Sequence, residues 1–540
     1  MQLFAVTAIL TMSSCSNDFL NTSPVTEATT ENFYKIPSEA FQGLVAVYDA
    51  LQQGGDAWGG SLLTSEMASD NCFMGFGSLD GKTVQNEWDR FLPEPSLEIN
   101  NAVWKTNYLG IARANILLEH LNQVNWGSDT ALRTQYEAEA KFLRAYFHFE
   151  LARTFGDIIP LDHTIKTTDN TLPRVDAATT YALIASDLKF AVDNLGNDNY
   201  STPNNPKYGR ITKWAAETYM AKVYLFYTGY YNKPDLAGVV TQAQATTYIN
   251  DVINNSGHAL IPDFSQLWVA SAASSTTNIL HTYAGEGNTE DIFAIRYANI
   301  GKGDWNLHDG NRLVVNIAPR GGGVGVYANG WGAGTVNPAL VAAYEAGDTR
   351  KAASFIDFVG EGLTYDPNAT AITQSQYTGY SWKKYCPVNT NSTSLVGITT
   401  ANGGNFQVDN YEDIVILRFA DALLLAAELN ITSNPGFAQT CLDRVRDRAF
   451  GGVTTHRVVV SKTTILNERR LELALEGNRY YDLLRQGLAV AKAAIDKTDS
   501  TNDPNTGFNV TFRPETLGWF RIPQTQILLS AGAIKQNPGW

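Results

Sequence analysis

The sequence predicts a mostly α-helical protein in which one part is irregular and rich in loops. Apolar residues recur at helical spacing in successive segments, and small alanines stand beside large aromatic residues within them. This pattern favours helical hairpins that stack on one another. Between about residues 261 and 410 the content of Gly, Asn, Ser and Thr rises and long helical patterns fade, although residues 291–297 are typical of a strand.

Hydrophobic periodicity predicts a series of helices in the rest of the chain. Residues 134–155 carry apolar side chains on both sides, so we expect that helix to be buried all round and to end at Gly156, shortly before Pro160. The segments predicted as helical are 39–52, 104–121, 134–155, 179–195, 210–229, 411–430, 437–448 and 466–487.

The last of these segments, 466–487, combines an apolar face with dense charge. The simplest interpretation is one amphipathic helix with salt bridges on its other face, in which Glu476 pairs with Arg479 and Asp482 with Arg485. Gly477 inside this pattern indicates either that a neighbouring backbone passes close by or that the helix kinks.

Composition limits the class of function. The chain has 540 residues, 44% of them hydrophobic, which is enough to bury a large core. A formal net charge of −14 argues against nucleic acid as a partner, because phosphate binding needs a basic surface. The 25 Tyr, 24 Phe and 11 Trp leave some aromatic residues for surfaces that stack on flat ligands. No run of 18 or more apolar residues is present, so no membrane-spanning helix is predicted.

The N-terminus is typical of a processed leader. Residues 3–10 are apolar, and Met-Ser-Ser-Cys at 12–15 resembles a bacterial lipobox in which Cys15 would be acylated. Two features depart from that pattern, because no Lys or Arg precedes the apolar run and Met is not the preferred residue at position 12. We expect a lipoprotein signal segment over 1–15 and a polar, Thr-rich tether over 16–30.

Two separated motifs resemble the SusD/RagB family of outer-membrane nutrient-binding lipoproteins. Residues 468–485 match the family pattern E-R-R-x-E-L-x-x-E-G-x-R-x-x-D-L-x-R almost throughout, and residues 522–540 are similar to the family's ending. Residues 138–151 and 418–428 are similar to two further helical blocks of the family.

The resemblance implies a SusD-like fold, a tetratricopeptide-type helical scaffold beside an irregular half with a few short strands. It implies one domain over 31–540. Within that domain we expect a scaffold at about 31–52, 100–260 and 411–487, a ligand-binding portion at about 53–98 and 261–410, and a C-terminal segment at 488–540.

A search for catalytic and metal-binding motifs favours a binding protein over an enzyme. The motifs G-x-S-x-G, H-E-x-x-H and the Walker sequence are absent, and seven scattered histidines suggest no triad. The acidic neighbours Glu137/Glu139 and Glu290/Asp291 do not establish a glycosidase pair, since that pair is defined by its separation in space. Asp499 lacks calcium-loop spacing, and we expect neither a cofactor nor a metal. Cys72, Cys386 and Cys441 form no disulfide framework or zinc motif.

Two Gly-rich regions combine aromatic and polar side chains in the way that a sugar site requires. A sugar ring stacks its apolar face on an aromatic platform, and polar side chains at the edge bind its hydroxyls. The candidate ligand-binding residues are Trp58, Asp70, Asn71, Phe73, Phe76 and Trp88 in the first region and Trp305, Asn306, Tyr327, Asn329 and Trp331 in the second.

The resemblance implies a lipid-anchored glycan-binding protein on the outer membrane. It implies that the protein captures oligosaccharides and delivers them to a partner, a SusC-like TonB-dependent transporter, which the helical scaffold would face. Two alternatives stay open: a peptide-binding member of the same family, and a surface glycoside hydrolase with carboxylates in the loop-rich half.

Overall fold

The structure, a computed structural model, is mostly helical as predicted, and its strands are short. It describes residues 33–54, 60–77, 86–93, 98–166, 171–198, 207–273, 283–298, 303–321, 323–369, 372–388, 405, 407–499 and 508–540. The predicted signal segment and tether, with Cys15, lie outside the described residues.

The helices follow one another along the chain. They are α1 (Pro37–Gly54), α2 (Gly60–Met67), α3 (Asn86–Asp89), α4 (Asn100–His120), α5 (Thr130–Phe155), α6 (Ala177–Asn194), α7 (Lys213–Tyr230), α8 (Gln242–Asn255), α9 (Val269–Ala272), α10 (Leu313–Ile317), α11 (Pro338–Ala342), α12 (Arg350–Ser354), α13 (Phe419–Asn430), α14 (Pro435–Ala449), α15 (Lys462–Glu472), α16 (Arg479–Leu484), α17 (Leu488–Ile495) and α18 (Gln524–Leu529).

The long helices stack in the order in which they occur. Helix α4 packs on α1 and α5, α5 on α6, α6 on α7, α7 on α8, α8 on α13, and α13 on α14. Arg144 of α5 holds Asp187 of α6 through Nε–Oδ2 and Nη2–Oδ1 bonds of 2.7 and 2.8 Å. Helix α5 is buried on both sides and ends at Gly156, as predicted. A Cβ on Gly156 would lie 2.3 Å from the Trp519 ring, so the close packing of the C-terminal segment requires glycine here.

Helix α8 is missing from the prediction. Its signal is present in the sequence, because Thr241 and Gln244 form a capping box that satisfies main-chain donors at the helix start. The Thr241 side chain accepts the Gln244 N–H, and the Gln244 side chain accepts the Thr241 N–H at 2.9 Å.

The strands form three antiparallel pairs among the described residues. They are β1 (Asp291–Ile295) with β4 (Ile414–Arg418), β2 (Phe355–Asp357) with β3 (Tyr380–Trp382), and β5 (Lys497–Asp499) with β6 (Phe508–Val510). The prediction of one helix over 411–430 is therefore wrong in its first part. Ile414 and Val415 pair with Ile295 and Ala294 of β1, and β-branched residues of this kind fit a pleated surface well.

The predicted helix over 466–487 is also interrupted. Residues 473–478 between α15 and α16 are not helical, and Leu475 and Gly477 have φ of 65° and 75°. A Cβ on Gly477 would lie 2.9 Å from the Leu62 Cα. The Gly477 N–H donates to Glu66 Oε1 at 2.8 Å. Both interpretations of Gly477 therefore hold. Helix α2 passes close to its backbone, and the predicted helix is interrupted there, between α15 and α16.

The charges of this segment are buried, contrary to the simplest interpretation. Arg418 donates to Glu472, Glu476 and Glu290 at 2.5, 2.7 and 2.8 Å. Glu472 also accepts from Arg350 and Arg448. Burial alone would raise the pKa of Glu472, but the three guanidinium groups hold it well below its usual range.

A second buried network lies beside the first. Asp482 pairs with Arg485 at 2.8 Å, as predicted, and with Arg469 at 2.9 Å. The predicted pair of Glu476 with Arg479 does not form, because Glu476 binds Arg418 and Arg479 binds Asp70. These contacts join α15 to α16, and α16 to the first Gly-rich region.

Candidate functional site

The described residues of the first predicted ligand-binding group are buried, which corrects the expectation that they lie at the surface. Asp70 lies 2.7 Å from Arg479 and 2.8 Å from Arg470, and Asn71 donates to Glu66 at 2.9 Å. The others with described positions are in the core: Phe73, Phe76 and Trp88, the last of which donates to Asn100 Oδ1 at 2.8 Å. Trp58 lies outside the described residues.

Residues 70–77 of the first Gly-rich region are buried because the second region covers them. The Phe73 N–H donates to the Thr335 carbonyl, and the Phe76 N–H donates to the Gly332 carbonyl, both at 2.8 Å. The Glu66 carboxyl below them is buried, which raises its pKa to about 7. Sequence composition suggests a surface loop here, whereas the chain forms a layer between α16 and the second region.

The second predicted group of ligand-binding residues is partly buried and partly at the surface. Tyr327 is buried and its hydroxyl donates to Glu361 Oε2 at 2.6 Å, so it does not face a surface ligand. Trp305 and Asn306 are exposed, and Asn329 and Trp331 are half-buried. These four residues are therefore the part of the predicted site that reaches the surface.

Trp305 and Trp331 form an aromatic platform. Their ring centroids are 6.3 Å apart and their planes differ by 5°. Trp305 is 46% exposed, an unusual exposure for a large apolar side chain that packs on another ring. Parallel, partly exposed aromatic rings match the apolar face of a sugar ring.

Arg312 holds Trp305 in place. Its Nη2 donates to the carbonyl oxygens of Trp305, at 2.7 Å, and Leu307. Its guanidinium lies 5.1 Å from the Trp305 ring centroid, within the range of a cation–π contact. Asp304 tightens the same turn, since its Oδ1 accepts the Asn306 main-chain N–H at 2.9 Å and Asn306 Nδ2 at 3.0 Å. The Asn306 side chain is thus held in the turn that carries Trp305.

Hydrogen bonds with α10 and Gln374 hold the main chain around Trp331. Its N–H donates to the Val315 carbonyl at 2.8 Å. The next residue, Gly332, has a φ of 70°, and a Cβ there would lie 2.2 Å from Gln374 Oε1. The Gly332 carbonyl accepts from Gln374 Nε2 at 2.8 Å. Glycine at position 332 therefore allows Gln374 to pack directly against the chain that carries Trp331.

Sequence reasoning missed Arg312 and Gln374 as site residues. An arginine seven residues after a tryptophan in a Gly- and Asn-rich stretch is a weak signal, because nothing in the pattern indicates that it folds back on that tryptophan. The contact of Gln374 with Gly332 joins residues 42 positions apart and has no local signal.

The acidic pairs noted in the sequence are engaged in ion pairs. Glu290 binds Arg418 and Arg448 at 2.8 and 3.0 Å, and Glu139 binds Arg210 at 2.6 Å. Within the described ranges no group of three or more His, Cys, Asp or Glu side chains is placed to hold a metal ion. No helix among the described residues has the length and apolarity that a membrane crossing requires.

Comparison with known families gives two matches. Residues 18–225 match a family described as "Starch-binding associating with outer membrane" (SusD-like), and residues 351–540 match the SusD family (SusD/RagB). The chain is also similar to "SusD-like protein P2" of Formosa agariphila, with 24% identity over 99% of this chain and 98% of the relative.

Solved structures share the fold. A protein described as "Laminarin binding SusD-like protein" superposes with a TM-score of 0.74 at 26% identity, covering 94% of this chain and all of the other. The surface glycan-binding protein A of Bacteroides thetaiotaomicron, solved in complex with laminarihexaose, has a TM-score of 0.74 at 21% identity, covering 93% and 99%.

Proposed function

Because this chain belongs to the SusD/RagB family, we propose that it is a glycan-binding protein without catalytic activity whose binding surface is the Trp305–Trp331 platform. One observation carries the proposal: the structure holds two near-parallel tryptophan rings at the surface, 6.3 Å apart. Asn306 directly follows Trp305 and is exposed, and Asn329 lies two residues before Trp331 and is half-buried; amide side chains of this kind suit the hydroxyl groups at a sugar's edge.

The charge around the platform suits a neutral ligand. The whole chain is acidic, with a formal net charge of −14, so an anionic polysaccharide would meet general repulsion. The Arg312 guanidinium lies 5.1 Å from the Trp305 ring centroid, but its hydrogen bonds to the Trp305 and Leu307 carbonyls keep it in the loop. Laminarin is the first ligand to test, because a protein of the same fold is described as binding it.

Affinity electrophoresis in gels that contain laminarin, or other plant, host and microbial polysaccharides, tests the proposal. We expect one neutral glycan to retard the wild type, and Trp305→Ala and Trp331→Ala to abolish the retardation at an unchanged melting temperature. The matched control is Phe41→Ala, an aromatic residue of similar exposure (41%) on α1. Retardation that survives both tryptophan variants would exclude the platform as the site.

The outcomes also separate the alternatives. Retardation by no glycan would favour the peptide-binding alternative, which binding to a peptide library would then test. Release of reducing sugar from any polysaccharide in the panel would establish a hydrolase instead.

The proposed role includes an anchor and a partner. The resemblance of residues 12–15 to a lipobox supports acylation of Cys15, and family membership supports a place on the outer-membrane surface and delivery of the glycan to a TonB-dependent transporter. Mass spectrometry of the mature N-terminus, protease shaving of intact cells, and co-purification of the transporter from solubilised outer membranes test the three parts. A soluble, unacylated product would contradict the anchor, and a membrane-anchored protein that purifies alone would contradict the partner.

A further inference from the structure

A second group of aromatic side chains lies near the platform. Tyr365 and Tyr377 have ring centroids 5.4 Å apart and planes that differ by 30°. Both stand on Phe358, at 4.4 and 5.8 Å. Phe358 is buried in a small hydrophobic cluster, whereas the two tyrosines are half-buried. The pair is therefore a tyrosine surface on an apolar base.

The two aromatic surfaces are joined by one glutamine. The Tyr365 hydroxyl donates to Gln374 Oε1 at 3.3 Å, and Gln374 Nε2 donates to the Gly332 carbonyl at 2.8 Å. Gly332 directly follows Trp331. A chain of two hydrogen bonds thus leads from the tyrosine pair to the platform.

A second connection runs through Arg320. The Arg320 main chain forms a bridge with Gly330, the residue before Trp331. The Arg320 side chain is tied down as well, because its Nε donates to the Ile372 carbonyl at 2.7 Å. The residues on either side of Trp331 are therefore both joined to the segment between the two tyrosines, Gly330 through Arg320 and Ile372, and Gly332 through Gln374.

The order of side chains from the platform to the tyrosine pair suits a polymeric ligand. Along this path the surface changes from indole rings to the half-buried amide of Gln374 and then to phenol rings. A polysaccharide offers the same alternation, since each ring has an apolar face and successive rings are separated by hydroxyl and bridging oxygens. Among the described residues the Tyr377 hydroxyl has no hydrogen-bond partner within the protein, so it is available to a ligand.

We propose that Tyr365 and Tyr377 form a second subsite, continuous with the Trp305–Trp331 platform, so that one neutral glycan chain contacts both surfaces. This inference rests on the proposed function and narrows it, because it assigns an extended chain as the ligand. We therefore expect a disaccharide to occupy one surface only and a hexasaccharide to reach both.

Calorimetric titration with laminaribiose and laminarihexaose tests the inference. We expect Tyr377→Ala and Tyr365→Ala each to weaken binding of the hexaose about fivefold, equivalent to about 1 kcal/mol for one aromatic contact, and to leave the biose unchanged. Trp305→Ala should weaken both ligands. Tyr365→Phe keeps the ring and loses the hydroxyl, so it separates stacking from the bond to Gln374.

The control is Tyr248→Ala, which removes a half-buried tyrosine from scaffold helix α8. Melting temperatures identify any variant that fails to fold, and Tyr377→Ala alone then decides the outcome. Hexaose binding that is unchanged in a folded Tyr377→Ala, while Trp305→Ala loses it, overturns the second subsite and leaves the proposed function standing. A wild type that binds neither sugar overturns the inference, whereas the polysaccharide panel decides the proposed function separately.

Discussion

The two Gly- and aromatic-rich regions have similar composition, but the described aromatic residues of the first are buried, whereas the second brings aromatic residues to the surface. In the first, Trp88 is fully buried and Asp70 lies between two arginines. In the second, Trp305 is 46% exposed and rests on Trp331. The difference teaches that glycine and aromatic content alone do not place a loop at the surface. The first region is covered because its main chain pairs with the second and its polar side chains meet the buried charges of α15 and α16.

The largest effect is expected in the buried charge network around α15. Glu472→Ala should destabilise the protein by about 3–5 kcal/mol, because it leaves Arg350, Arg418 and Arg448 without a shared carboxylate. Chemical denaturation followed by tryptophan fluorescence measures the loss. An unchanged midpoint would show that the network contributes little to folding.

Trp88→Ala and Trp305→Ala compare the two regions directly. The first should cost about 3–5 kcal/mol, because it leaves a cavity in the core. The second should change stability by no more than about 0.5 kcal/mol and should abolish glycan binding. A Trp88→Ala protein that melts like the wild type and no longer binds glycan would reverse the assignment of the two regions.

The first region should also make stability depend on pH. Glu66 has a pKa of about 7 in the folded protein against 4.5 when exposed. A carboxyl whose pKa is raised on folding stabilises the protein fully below pH 4.5, and this contribution of about 3 kcal/mol is lost as the pH rises towards 7. Unfolding measured between pH 4.5 and 8 should therefore show a smaller decline for Glu66→Gln than for the wild type. Parallel curves would contradict the burial of this group as the cause.

A smaller effect is expected at the edge of the first region. Arg479→Ala removes one of the two cations that face Asp70 and should cost about 1–2 kcal/mol, since Arg470 remains at 2.8 Å. Arg457→Ala, which removes an exposed ion pair with Asp447, is the matched control and should be nearly neutral. Equal losses of stability in the two variants would show that the ion pair of Arg479 with Asp70 contributes no more than an exposed ion pair.

The smallest expected effect is on glycan binding by the second region. Arg312→Lys keeps the charge and loses the fork that holds the Trp305 and Leu307 carbonyls, so we expect a modest loss of glycan affinity, about threefold, with little change in melting. Calorimetry with laminarihexaose measures it. An affinity equal to that of the wild type would mean that the loop holds Trp305 without this contact.

The sequence alone determined most helices of the scaffold, though not α8, together with the strand at β1 and the resemblance to a known family. These features are local: helical periodicity around α5, the glycine that ends it and the charged motif of 468–485 are all patterns within one segment. The break at Gly477 was left open between a close neighbour and a kink, and the predicted helix over 411–430 was wrong where β4 begins.

Only the tertiary structure decided which aromatic and charged residues reach the surface. The burial of Asp70, Phe73 and Trp88 depends on contacts with residues up to about 400 positions away, such as that of Asp70 with Arg479. The pairing of Trp305 with Trp331 and the position of Gln374 depend on loops whose geometry has no periodic signal. Side-chain type determines which contacts are favourable, but burial is a property of the whole packed chain.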